Sequence, residues 1–158
     1  MGDQEVTVRR ARVEDIPGLV VSSSRLFAED GGPRDPGVNV DWPREHGAAA
    51  FASALENPAR LLLVAVHGGE VVGHLSGSLT EPSAMRPLRS ATLMAMYVCP
   101  QHRGSGVGAR LADAFFVWAR EWGAEQAEVT AYSANSDAIR LYEREGFRPL
   151  SLTLRRAL

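Results

Sequence analysis

Apolar residues recur along this chain with two periods, and the change from one to the other marks out its elements. Residues 6–12, VTVRRAR, open with the β-branched character of a strand, and the three- and four-residue apolar spacing of 14–30 predicts a helix with Pro17 in its first turn. The Gly- and Pro-rich stretch 31–44 reads as a long loop, a feature that often serves a site in a compact domain. A second short helix is predicted over 45–55, ended by Glu56-Asn57-Pro58. Residues 60–80, RLLLVAVHGGEVVGHLSGSLT, hold two strands joined at Gly68-Gly69, a strong hairpin signal. A loop over 81–89 leads into 90–98, SATLMAMYV, apolar enough for a strand buried on both faces.

The helical period then returns over about 106–122, where Val107, Leu111, Phe115, Trp118 and Trp122 form one face and Gly123 a stop. A strand is predicted over 127–132, AEVTAY, followed by a short helix with Asn135 as its cap and Gly146 as its exit. Residues 148–154, RPLSLTL, complete the series as a final strand. The order is therefore β, two helices, an antiparallel run of strands, then βαβαβ. It predicts an α/β or α+β sheet with a parallel step after the glycine segment.

Composition narrows the function without naming it. The 158 residues are 45% hydrophobic, one domain's worth of chain over 1–158. No apolar run approaches the roughly 18 residues of a membrane span, and the polar start lacks the apolar core of a signal peptide, so a cytoplasmic protein is expected. A net charge of −2 argues against general binding to nucleic acid or a membrane surface. One cysteine, Cys99, and four scattered histidines in no ligand spacing predict neither a disulfide nor a metal centre. All 17 basic residues are arginine, which biased codon usage explains sufficiently.

Chemistry enters at 103–108, RGSGVG, between the buried strand and the long helix. Glycines there let successive N–H groups line a concavity where a helix begins, and a helix N-terminus carries about half a positive charge with several unpaired donors. The pocket suits a diphosphate, with Arg103 adding a full charge at its rim. A P-loop is excluded, because it needs lysine and the chain has none. The spacing of Gly104, Gly106 and Ala109 satisfies a dinucleotide fingerprint, but that motif starts a doubly wound sheet and here it follows an antiparallel run. A plain strand-to-helix turn is the remaining structural reading.

A second segment, 135–147, NSDAIRLYEREGF, changes the balance. Arg103, Gly106 and Gly108 answer an Arg/Gln-x-x-Gly-x-Gly/Ala signature, and Asn135, Ala138, Leu141, Tyr142, Gly146 and Phe147 answer Asn-x-x-Ala-x-x-Leu-Tyr-x-x-x-Gly-Phe. In order, with a strand between them, these motifs resemble the GNAT superfamily of acyl-CoA-dependent N-acyltransferases. The resemblance is firm over about 90–150, and element order extends it to the N-terminus. It implies a mixed, mostly antiparallel sheet of six to seven strands, a parallel pair splayed at the cofactor, and about four flanking helices.

The resemblance also implies roles. Acetyl-CoA would be the cosubstrate, its pyrophosphate held by backbone N–H groups of Arg103, Gly104, Ser105, Gly106, Val107 and Gly108. Its arm would bond to the backbone of Tyr97 and Val98, with the Val98 N–H near the thioester carbonyl. Tyr142 would protonate the departing thiolate, or else only pack its ring on the helix's buried face. Asn135 would touch the cofactor, cap its helix, or do both. Many relatives carry a carboxylate on the central strand to relay the amine proton, whereas TLMAMYV offers none, leaving His74, Glu81 or a water chain as substitutes. The acceptor is expected to be a small-molecule amine, and homodimers are frequent in such families. Segment 26–47 holds Glu29, Asp30, Asp35, Asp41 and Glu45 against Arg34 and Arg44, with Trp42 as an aromatic face, which favours a cationic amine. The other function class is a non-catalytic acyl-CoA-binding sensor or regulatory module.

Overall fold

The computed structural model describes residues 5–158. Strands β1 (Thr7–Arg10), β2 (Arg60–His67), β3 (Glu70–Thr80), β4 (Ser90–Val98) and β5 (Gln126–Val129) form one sheet in that order. Neighbours are antiparallel except β4 and β5, which are parallel, as a strand–helix–strand crossover requires. The helices are α1 (Ile16–Leu26), a single turn α2 (Gly32–Arg34), α3 (Ala48–Leu55), α4 (Val107–Glu121) and α5 (Ser136–Arg144). Four of them are longer than one turn, so the mixed sheet with about four helices agrees with the expected architecture. The turn between β2 and β3 takes Gly68 and Gly69 into the left-handed region, at φ 57° and 81°, as a two-residue hairpin demands.

β2 shows why the sheet sits in the middle. Its alternate residues Leu61, Leu63 and Ala65 join a core with Leu111, Phe115 and Trp118 of α4. Leu62 and Val64, on the other face, pack with Leu19 of α1 and with Phe51 and Ala54 of α3. A continuous apolar run is thus covered on both sides, and each fully buried leucine contributes roughly 2 kcal/mol.

The helical segments extend further than the sequence pattern suggests. α1 widens into an i to i+5 turn at Phe27–Gly31 and reaches α2, entering what was expected as loop, and a similar turn at Pro43–Gly47 leads into α3.

One irregularity in β4 shapes the site. Ser76 of β3 aligns with Ala95 and Gly77 with Leu93, so Met94 is an extra, bulged residue. Pairing with β5 stops at the same place, Leu93 opposite Val129. Bulges bend and twist their strand, and β4 runs on to Val98 paired only with β3. This is the splayed parallel pair.

The strand count needs correcting. Five strands are present among the described residues, and β5 ends at Val129 instead of Tyr132 because β4 has turned away from it. Residues 148–154 are not a strand. Leu150, Leu152 and Leu154 do alternate, but they stand 80%, 73% and 84% exposed, and no strand pairs with them. Pro149 removes one ladder donor, and Arg155 ties the segment to Asp35. Alternation makes a strand only where a neighbouring strand accepts it.

Candidate functional site

Beyond Val98 the chain makes a short 3₁₀ turn, Pro100–His102, and enters α4 through two left-handed glycines, Gly104 at φ 79° and Gly106 at φ 86°. A Cβ added at either would meet nothing within 4 Å, so the turn faces open space. Ser105 donates from Oγ to the His102 carbonyl at 2.9 Å and pins the turn. No side chain caps α4, and among the described residues no backbone carbonyl accepts from the N–H groups of 104–108. Gly108 also has a packing reason to be glycine: a Cβ there would lie 3.0 Å from Leu141 Cδ1, so its absence lets α4 approach α5.

Arg103 leans back across the end of β4. Its Nε donates to the Val98 carbonyl at 2.7 Å, its guanidinium carbon lies 5.3 Å from the centre of the Tyr97 ring, and its Nη1 meets Glu29 Oε1 at 2.7 Å. Tyr97, 6% exposed, donates from its hydroxyl to Glu29 Oε2 at 3.1 Å. The Arg103 hydrogen bond holds the Glu29 carboxyl below its ordinary value, while burial and then the Glu29 contact push the Tyr97 phenol up. Sequence reading placed Glu29 on the acceptor side but missed this junction. The partners lie 68 and 74 positions apart, and no local pattern signals the contact.

Tyr142 stands on α5, half-buried against the main core, with its ring edge-on to Phe147 at 5.8 Å. Burial, and then the charge of Asp30, push its phenol up to about 12. Asn135 uses both ends of its amide: Oδ1 accepts from the Ala138 N–H at 3.2 Å and Nδ2 donates to Asp30 Oδ1 at 3.0 Å. It is a helix cap that also fastens the end of α1 to α5. Asp30 is further paired with Arg34 at 2.8 Å, and Asp35 accepts from Tyr132 at 3.4 Å and pairs with Arg155. Asp41 pairs with Arg44, and Trp42 stacks on Phe27 with ring centres 6.1 Å apart.

Of the two candidate proton acceptors, His74 aligns with Tyr97 across the β3–β4 ladder and Glu81 lies at the other end of it. His74 lies 1% exposed under α1, its Nδ1 2.6 Å from Ser22 Oγ, and burial lowers its pKa to about 4. Glu81 follows β3 at its far end, where Thr80 aligns with Ser90, roughly 26 Å of strand from Val98. It pairs with Arg89 at 2.9 Å. The fold gathers Tyr97, Val98, Arg103 and the glycine turn at one end of β4, with Glu29 among them, and leaves Glu81 out.

Comparison with known proteins agrees with this geometry. A family model described as the acetyltransferase (GNAT) family matches residues 26–147. An uncharacterized N-acetyltransferase of Mycobacterium tuberculosis is 30% identical over 101 residues, 64% of this chain and 61% of its own length. One of Escherichia coli is 28% identical over 151 residues, covering 96% of this chain and 87% of the relative. A predicted acetyltransferase of Clostridium acetobutylicum, solved with acetyl-CoA, shares the fold with a TM-score of 0.77 at 20% identity, over 97% of this chain and 96% of that one.

Proposed function

The chain belongs to the acetyltransferase (GNAT) family, and from that premise we propose that it is an N-acetyltransferase using acetyl-CoA and the primary amine of a small, cationic acceptor. The observation that carries this reading is the departure of β4 from β5 immediately before a helix N-terminus whose donors are free. The residues fit the cosubstrate. The left-handed glycines leave an open concavity for a diphosphate, and the positive end of α4 favours it. Arg103 supplies a cation at the rim, and the free edge of β4 at Tyr97 and Val98 offers main-chain groups to an extended arm.

Once bound, acetyl-CoA supplies an activated acyl carbon and a good leaving group. The chain's part is to position, to stabilise charge and to move protons. The Val98 N–H is the donor for oxygen charge developing at that carbon. Tyr142 holds its proton throughout the neutral range, as any phenol does and more firmly here because burial pushes it up to about 12; it delivers that proton to the departing sulfur and regains one from solvent. A free amine has a pKa near ~10 and must lose a proton before attack. With His74 sealed under α1 and Glu81 at the other end of the strand, water at the open edge of β4 takes it.

Replacing Tyr142 by Phe tests the assignment. Thiol release should fall about a hundredfold in kcat, with CoA affinity by calorimetry little changed. An unchanged rate across the pH range would remove Tyr142 from the chemistry. Wild-type protein that binds CoA yet releases no thiol with any amine of a broad panel would instead favour the acyl-CoA sensor.

A further inference from the structure

We infer that Glu29, Val98 and Tyr97 form the receptor for the acceptor's ammonium group, and that Arg103 fills it until the cosubstrate's diphosphate draws Arg103 away. Three kinds of cation-binding group converge there on the guanidinium: a carboxylate at 2.7 Å, a main-chain carbonyl at 2.7 Å and an aromatic face at 5.3 Å. Together they recognise a cation by charge, hydrogen bond and ring quadrupole. Among the described residues, three other acidic side chains of the segment pair with arginines outside the cofactor turn, Asp30 with Arg34, Asp35 with Arg155 and Asp41 with Arg44, and Glu45 accepts from Asn39. Only the partner of Glu29 also belongs to the diphosphate turn.

The inference rests on the proposed use of acetyl-CoA. When Arg103 turns to a diphosphate, the Glu29 carboxylate loses its partner while its hydrogen bond from Tyr97 remains. A carboxylate left there beside an aromatic face and a free carbonyl recruits another cation. An ammonium arriving there sits beside the end of β4, where the acyl group is handed over. One cation replaces another, so the receptor stays neutralised in both states. The two ligands are thereby coupled, and linkage makes the coupling reciprocal.

Calorimetry with CoA and 1,4-diaminobutane as probes tests this. In wild-type protein the diamine should bind about tenfold more tightly with CoA present than without it. E29Q should bind CoA several-fold more tightly than wild type, since Arg103 is no longer held, and should lose most of the CoA-dependent gain for the diamine. Equal diamine affinity with and without CoA in wild type, a test independent of how the variant folds, would overturn the inference alone. So would E29Q with unchanged affinity for both probes. A wild-type protein that binds no CoA would overturn the proposed function as well.

Discussion

α4 and α5 start in opposite ways. α5 is sealed: Asn135 accepts from the Ala138 N–H, and its amide nitrogen is occupied by Asp30. α4 is left open, reached through two left-handed glycines, with no side-chain cap and with its first N–H groups facing space. An uncapped helix start forgoes stability, since a good cap is worth about 1 kcal/mol. The unpaired donors persist because water satisfies them, and water is easily exchanged for an anion. A helix start that looks incomplete is therefore the better place to seek a ligand.

The largest expected effect comes from closing the open start. Gly106→Val puts a β-branched residue at φ 86°, which costs about 1–2 kcal/mol of strain and turns the N–H groups away. CoA affinity should drop at least about tenfold by calorimetry; unchanged affinity would break the contrast between the two helices. Asn135→Ala should do the reverse. It removes a cap worth about 1 kcal/mol and should lower the melting midpoint by about 3 °C, leaving CoA affinity within about twofold. If it weakened CoA binding as much as the glycine variant does, Asn135 would be a ligand contact and the two starts would no longer differ in kind.

The smallest effect sharpens the comparison at the 3₁₀ turn Val13–Asp15, which leads into α1 and is closed by a capping contact from Asp15. Before α1, Asp15 accepts from the Arg12 N–H at 2.7 Å and pairs with Arg9 at 2.7 Å. The hydrogen bond from Arg9, with help from Arg12, depresses the Asp15 carboxyl. Its folded pKa lies below the unfolded value of about 3.9, so the stabilisation is complete above that value and fades as pH falls through the lower folded one. Wild type should melt a few degrees above D15N at pH 7, a difference of about 1 kcal/mol. The gap should narrow as pH falls below the unfolded value and through the lower folded one; a gap that stayed constant on acidification would mean that Asp15 acts by packing.

Much of the fold was legible before any coordinates. The stripe of Val107, Leu111, Phe115 and Trp118 and the paired glycines at 68 and 69 are local signals, and the elements they mark stand where expected. Segment 148–154 carried an equally regular alternation and is not a strand, because pairing depends on a neighbour that period alone cannot supply. Likewise helical turns reach into both ends of the 31–44 stretch, at 31–34 and 43–44, whose Gly and Pro content reads as loop.

The site divides along the same line. The glycine turn and the Asn135 cap could be read from short stretches, because backbone turns and caps are decided within a few residues, while the family's motif singles out Tyr142. The bulge at Met94, the sealing of His74 under α1, the distance of Glu81 and the junction of Arg103, Tyr97 and Glu29 came only from the tertiary structure. They join residues far apart in the chain. Such contacts depend on how a twisted sheet and its covering helices share space, and the chain carries no local signal for that.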